Sequence, residues 1–217
     1  MRRTLNRLRY GMPDRYGHLS QTIQRHRARR LLEIGVWDAV HSTWMIEAAL
    51  KQHRPEEITY YGFDLFEQAD ASTIDREISK AAPTMEHVRS VLRPFVEQGV
   101  TVHLFRGDTT TVLPEIAPAL PCMDLVFIDG GHSEHTVRND WTWVSRCIGP
   151  ASVVIFDDYV DPRSAAESGV GVNAVVDALD ASSYSRRLLR PIDTFPRPWG
   201  ALRIAFAEVR LRARPTA

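Results

Sequence analysis

Five short apolar segments, each with an acidic residue at or just after its end, constrain the fold of this chain more than any other feature of its sequence. The segments are rich in β-branched and aromatic side chains, as buried strands are, and stretches with helical periodicity lie between them. Such alternation favours a parallel sheet, so the acids would share one edge, where open α/β sheets bind their ligands. These acids are Glu33, Asp64, Asp108, Asp129 and Asp157.

Two more strands are expected near the carboxyl end, at residues 185–189 and 201–209, around a proline-rich turn at 191–198. The alternation of apolar residues in the last segment suits a hairpin partner. We therefore predict an α/β protein with a seven-stranded, mostly parallel sheet, one antiparallel C-terminal strand and helices on both faces.

A chain of 217 residues with 44% hydrophobic residues is long enough for one α/β domain. We place this domain at residues 30–217, after an arginine-rich helical segment at residues 1–29. No apolar run is long enough to span a membrane, and the amino terminus lacks the apolar core of a secretory signal. A cytoplasmic location without membrane contact is expected.

The first thirty residues contain nine arginines and one acid, Asp14. A solvated helix is the favoured interpretation, and an arm that binds phosphate or a partner is the alternative. Such an arm would make the chain a non-catalytic module that docks to nucleic acid. The zero net charge and the five acids of the sheet edge argue against nucleic acid as a partner.

The fourth strand, Leu125 to Ile128, runs directly into Asp129, two glycines and His132. Glycines allow the backbone to approach a bound group closely, and a helical pattern resumes after the histidine. Chemistry is therefore expected at Asp129 and His132. The polar, irregular stretch at residues 66–88 is typical of a lid or a substrate-facing loop.

The second acid, Asp64, is placed to accept hydrogen bonds from a ribose diol, because it ends a strand that follows a glycine-containing first turn. That first turn lacks the G-x-G-x-x-G pattern that a pyrophosphate requires, which disfavours a dinucleotide. A nucleoside that carries a positive charge near Glu33 fits better. S-adenosylmethionine has this character.

Five motifs then resemble those of class I S-adenosylmethionine-dependent methyltransferases, over roughly residues 30 to 160. They are LLEIGVWDAVHS, YYGFDLF, FRGD, FIDGGHSEHTVRND and VVIFDDY. The last two are similar to motifs of the metal-dependent O-methyltransferases of the macrocin and mycinamicin type, which methylate sugar hydroxyls in antibiotic pathways. This resemblance implies a Rossmann-like fold, with residues 30–217 as the cofactor-binding domain.

The same resemblance implies individual roles. Asp129 and the acid pair Asp157 and Asp158 would bind Mg²⁺, and His132 would be the catalytic base beside Asp129. Because side chains alternate along a strand, Asp158 reaches the same ion as Asp157 only if the strand has ended before it. For the cofactor, Glu33, Gly35 and Ser42 would line the methionine end, Asp64 the ribose, and Asp108 with Thr109 the adenine. The chain departs from the family at Ala39, where a glycine is common.

The predicted function is a magnesium-assisted O-methyltransferase that acts on a hydroxyl of a small molecule, of the sugar or natural-product type. The alternatives are a metal-independent enzyme or an N-methyltransferase of the same fold, and the nucleic-acid-docking module. A small-molecule acceptor is the expected partner, and assembly into a homo-oligomer is left open.

Overall fold

The computed structural model describes residues 14–73, 82–164 and 171–212. Residues 1–13 of the arginine-rich segment and residues 74–81 of the expected lid lie outside this part. The strands are β1 (Arg30–Ile34), β2 (Thr59–Asp64), β3 (Thr101–Arg106), β4 (Met123–Ile128), β5 (Ile148–Val160), β6 (Tyr184–Leu188), β7 (Asp193–Arg197) and β8 (Gly200–Leu211). The longer helices are α1 (Gly17–His26), α2 (Val40–Leu50), α3 (Met85–Glu97), α4 (Thr109–Ile116), α5 (Glu134–Val144) and α6 (Gly171–Asp177).

The strands form a mixed sheet in the order β3-β2-β1-β4-β5-β8-β6, and β7 pairs with β8 outside this path. The first five strands are parallel, whereas β8 is antiparallel to its neighbours β5, β6 and β7. The predicted architecture is therefore confirmed, including the single antiparallel strand. The short strand β7 is an addition, because part of the expected proline-rich turn is extended and pairs with β8.

Alternate side chains of the central strands enter two different cores. In β4, Leu125 and Phe127 face a core that includes residues of α1, α2 and α3, whereas Val126 and Ile128 face a core that includes residues of α4, α5 and α6. Helices thus cover both faces, as predicted. Burial on both faces explains why these strands are almost continuously apolar.

The strand order reverses between β1 and β4, which are parallel neighbours with Ile34 opposite Ile128. The turns that follow these two strands must therefore meet at the carboxyl edge of the sheet. A reversal of this kind opens the crevice in which α/β sheets bind ligands. The topology thus brings together the two turns in which the sequence predicts chemistry.

Strand β5 does not end at Phe156, where the sequence placed its end, but continues to Val160. Its register against β8 shifts between Phe156 and Tyr159, and Asp158 has a left-handed φ of 55°. An irregularity of this type re-aims side chains. The two consecutive acids can therefore both lie at the crevice although the strand has not ended.

None of the helices within the described ranges has the length and apolar character needed to cross a membrane.

Candidate active site

The turn after β1 is shaped by Gly35, which has a φ of +89°. A Cβ atom at this position would overlap the carbonyl oxygen of Asp129, in the turn after β4. The amide of Gly35 donates to the carbonyl of Phe63 over 2.9 Å, and the amide of Asp129 donates to that of Ile34 over 2.8 Å. Glycine is required here because the two turns are in direct backbone contact.

Ala39 occupies the position at which the family commonly has glycine, and it retains a left-handed φ of 63°. The residue is fully buried and directly precedes α2. The departure from the family pattern therefore leaves the turn in the backbone conformation that glycine favours.

Glu33 and Ser42 lie together beneath this turn, and both are fully buried. The Ser42 hydroxyl donates to Glu33 Oε2 over 2.6 Å, and the Tyr60 hydroxyl donates to the same oxygen. Burial raises the pKa of Glu33 to about 7, a change that the hydrogen bonds only partly oppose. The predicted role of Glu33 and Ser42 at the methionine end stays a prediction, and Tyr60 is an additional member that the sequence did not indicate.

Asp64 joins the turns after β1 and β2. Its carboxylate accepts hydrogen bonds from the amide of Trp37 over 2.8 Å and from that of Phe66 over 2.7 Å. A carboxylate has about four acceptor positions, so two remain for a further ligand. The predicted contact with a ribose diol is compatible with this geometry and stays a prediction.

The turn after β3 lies beside Asp64, because the amide of Gly107 donates to the Asp64 carbonyl over 3.0 Å. Asp108 caps α4 by accepting from the amide of Thr110 over 2.8 Å, and Thr109 is the first residue of that helix. Asp108 is exposed. The residues predicted for the ribose and for the adenine therefore follow neighbouring strands, and the adenine contact stays a prediction.

His132 and Asp158 form a direct pair, with 2.9 Å between His132 Nε2 and Asp158 Oδ2. The hydrogen bond to Asp158 raises the pKa of His132 above its ordinary value. The loop that carries His132 is held by Gly171, whose amide donates to the His132 carbonyl over 2.9 Å. A Cβ atom at Gly171 would overlap the backbone of Glu134. The predicted base thus has an acidic partner that the resemblance had assigned to a metal.

Asp129 lies within electrostatic range of both acids of β5. Burial, and then the charges of Asp157 and Asp158, raise the pKa of Asp129 well above its usual value. His41 Nδ1 lies 3.5 Å from Asp129 Oδ2. The structure therefore brings together the four residues that the resemblance implied for catalysis and metal binding, and it adds His41.

Arg15 fills the space in front of Asp157, which sequence analysis did not anticipate. Its Nε and Nη2 atoms donate to Asp157 Oδ1 and Oδ2 over 2.7 and 3.2 Å. The Tyr16 hydroxyl donates to Asp157 Oδ2 over 2.6 Å. Arg15 is only 5% exposed, so the solvated helix expected for this segment is wrong at this residue. Nothing in the sequence distinguishes Arg15 from the other arginines around it.

The predicted magnesium ligands do not fit a divalent cation in this arrangement. Both oxygens of Asp157 accept hydrogen bonds from Arg15, while Asp158 contacts Arg15 and His132. Within the described residues, no three His, Cys, Asp or Glu side chains form a group that could hold a metal. The acids are close to one another, as predicted, but the Arg15 guanidinium occupies both oxygens of Asp157 and one oxygen of Asp158.

Part of the chain is similar to a curated protein sequence. One curated relative, an uncharacterized protein of Acanthamoeba polyphaga mimivirus, is 31% identical over 99 residues, and the match covers 45% of each chain. The chain thus spans less than half the length of that relative.

Solved structures share the fold. An O-methyltransferase from Bacillus cereus in complex with S-adenosylhomocysteine has 17% identity and a TM-score of 0.61, over 93% of this chain and 82% of that chain. The O-methyltransferase TomG from Streptomyces achromogenes, in complex with S-adenosylmethionine, has 18% identity and a TM-score of 0.58, over 95% and 86%. An rRNA methylase from Streptococcus thermophilus has 9% identity and a TM-score of 0.61, over 93% and 99%.

The family profile of a methyltransferase domain matches residues 32–159. This range is more than half of the chain, and it contains all the predicted site residues from Glu33 to Asp158. The chain therefore belongs to the methyltransferase-domain family.

Proposed function

We propose that this protein is an S-adenosylmethionine-dependent O-methyltransferase that acts on a hydroxyl group of a small molecule. The observation that carries the proposal is the contact between the turn at Gly35 and the turn at Asp129, at the reversal of the strand order. Residues predicted for the cofactor lie on one side of this contact. The residues suited to proton transfer lie on the other side.

The donor proposal rests on the first three turns and on the family. Asp64 has free acceptor positions for a diol, and Glu33 places an acidic group beneath the turn at Gly35. S-adenosylmethionine and S-adenosylhomocysteine are bound in related solved structures, which supports the same donor here. When bound, the donor supplies an electrophilic methyl group on a sulfonium.

His132 is the proposed base. When Nε2 carries the hydrogen that faces Asp158, Nδ1 has a lone pair that can accept the proton of an acceptor hydroxyl. The side chain is 39% exposed, so it is accessible from the crevice. Because its pKa is raised, the neutral form that acts as a base becomes populated at a higher pH than for a free imidazole, and the rate is expected to rise over that pH range.

The magnesium requirement that the resemblance implied is not part of this proposal, because Arg15 contacts both β5 acids that would have to bind the ion. The metal-independent alternative is therefore preferred. A hydroxyl acceptor of the natural-product type is supported by the similarity to TomG, which takes part in tomaymycin synthesis. The similarity to an rRNA methylase is one of fold, and the zero net charge of this chain does not favour a phosphate polymer.

Calorimetric titration with S-adenosylmethionine tests the donor proposal. We expect saturable binding to the wild type and roughly 10-fold to 100-fold weaker binding to Asp64→Asn, because hydrogen bonds to a charged group are lost. Asp124→Asn is the matched control, since Asp124 also accepts from two backbone amides but at the opposite edge of the sheet. Absence of saturable binding at millimolar donor would contradict the proposed function.

Methyl transfer to a panel of sugars, diols and phenols, followed by mass spectrometry, tests the reaction and its base. We expect His132→Ala to lower kcat by on the order of 10²-fold to 10⁴-fold, with donor affinity preserved. His135→Ala is the control, because His135 lies three residues further on and is exposed. Equal losses in the two variants would exclude His132 as the base.

A further inference from the structure

Arg15 is a buried cation in contact with the acids of the crevice. Its Nη2 atom lies 3.3 Å from Asp158 Oδ1, in addition to its two bonds with Asp157. The opposite oxygen of Asp158 contacts His132. One guanidinium therefore connects the buried Asp157 with Asp158, the acidic partner of the proposed base.

The position of Arg15 is fixed by groups outside the acid cluster. Asp193, in β7, accepts from Arg15 Nη1 over 3.1 Å and from the Arg15 amide over 3.2 Å. The guanidinium carbon lies 4.6 Å from the ring centre of Tyr16 and 5.9 Å from that of Phe206. Together these contacts hold the long Arg15 side chain in one orientation. Little further side-chain entropy is therefore lost when the guanidinium binds the two carboxylates.

A guanidinium and a divalent cation compete for the same oxygen atoms. Mg²⁺ and Mn²⁺ bind carboxylate oxygens directly, and the fork of an arginine matches the same oxygens through two parallel hydrogen bonds. A second cation bound to the same carboxylates would also be repelled by the positive charge of the guanidinium. Arg15 and a metal on Asp157 therefore exclude each other.

We propose that Arg15 is the resident cation of this methyltransferase site, holding Asp157 and Asp158 where a divalent metal would otherwise hold them. Through Asp158 it also acts as a positioning residue for His132. No metal ion is then needed to hold these two acids in place. The consequence for methyl transfer rests on the proposed function, whereas the exclusion of the metal does not.

Binding of Mn²⁺, followed by the electron paramagnetic resonance of the free ion, tests the proposal without an acceptor. We expect no Mn²⁺ binding to the wild type below about 1 mM. In Arg15→Ala, in which Asp157 and Asp158 lose the guanidinium, we expect binding with a Kd at least about 10-fold below that limit. The gained site should disappear in Arg15→Ala/Asp158→Asn. Arg15→Lys, which keeps the charge, should resemble the wild type.

Arg30→Ala is the matched control, because Arg30 forms an ion pair with Asp124 at the far edge of the sheet. This variant should gain no Mn²⁺ site. Tight Mn²⁺ binding to the wild type that Asp157→Asn abolishes would overturn the proposal, and this arm does not depend on the folding of any Arg15 variant. A folded Arg15→Ala that gains no site would overturn it as well.

Calorimetry with S-adenosylmethionine on the same samples separates the two proposals. Donor binding to the wild type together with Mn²⁺ binding at Asp157 would reject the role of Arg15 and leave the proposed function intact. Absence of donor binding would reject the proposed function. If the donor did not bind, but Mn²⁺ bound Arg15→Ala and not the wild type, the proposed function would be rejected and the role of Arg15 would still be supported.

Discussion

At the scale of single residues, Glu33 shows how burial changes the chemistry of a side chain. Its carboxyl group has no exposed surface, and Oε1 has no hydrogen-bond partner among the described residues. The charged form is therefore disfavoured, although Ser42 and Tyr60 donate to Oε2. A carboxyl group with a pKa near 7 is only partly ionised at neutral pH.

This pKa predicts how protein stability depends on pH. Because the folded-state pKa of Glu33 is raised from 4.5 to about 7, its stabilising contribution is complete below about pH 4.5 and is lost as the pH rises to 7. In Glu33→Gln this dependence is absent. Relative to the wild type, the variant should gain on the order of 1 to 3 kcal/mol in the free energy of unfolding between pH 5 and pH 8.

Urea unfolding of both proteins at several pH values measures this difference, and Glu47→Gln, on α2, is a suitable surface control. A difference in free energy that does not change with pH would contradict the raised pKa of Glu33.

At the scale of secondary-structure elements, the turn after β1 and the turn after β4 form one unit. The residue after β1 must be glycine for two reasons, the positive φ and the backbone of Asp129 against it. A larger residue would have to separate the two turns. The proposed donor and acceptor halves of the site depend on this contact.

We therefore expect Gly35→Ala to lower the free energy of unfolding by at least about 2 kcal/mol. The affinity for the donor should fall as well, because the added methyl group displaces the turn after β1, which is part of the proposed donor site. Gly17→Ala provides the contrast, since Gly17 opens α1 and has open space around its Cβ position. That substitution should be neutral or stabilise by up to about 1 kcal/mol. Thermal unfolding of the two variants measures both effects, and equal behaviour would contradict the role of the contact.

At the scale of the whole molecule, the amino-terminal segment and strand β7 meet over the carboxyl edge of the sheet. Asp193, in the C-terminal β7, accepts from the amide of Asp14 over 2.8 Å as well as from Arg15. The antiparallel strand β8 lies against β5, which carries Asp157 and Asp158. The tail therefore contributes to the site by holding the amino-terminal segment against it.

Replacing Asp193 should release this segment. In Asp193→Ala we expect backbone amides of residues 14–26 to exchange with solvent roughly 10-fold faster, because three hydrogen bonds of the segment are removed. Hydrogen-deuterium exchange with mass spectrometry gives the rates. Asp180→Ala is the control, as the Asp180 carboxylate accepts from Ser182 and Ser183 of its own turn. Unchanged exchange in Asp193→Ala would show that the segment is held by other contacts.

The parallel core of the fold, and the edge of the sheet at which the proposed site lies, follow from local patterns in the sequence. Apolar runs of about five residues are buried when both faces of a strand are covered. Acids at or near the ends of these runs avoid most of the cost of burial when they lie at the edge of the sheet. This local signal was sufficient to place Asp64, Asp129 and His132 at the same edge of the sheet. It also placed Asp157 and Asp158, although the reason proved to be a bulge and not the end of the strand.

The partner of the acids Asp157 and Asp158, in contrast, is set by the assembled fold. Arg15 and Asp157 are separated by 142 positions in the chain, and an arginine among many carries no local mark of burial. The partner of a buried charge is chosen by which side chains the completed fold brings within hydrogen-bonding distance, and no periodicity encodes that choice. For the same reason the pairing of His132 with Asp158, and the support of Glu33 by Tyr60, became visible only when the strands were assembled into a sheet.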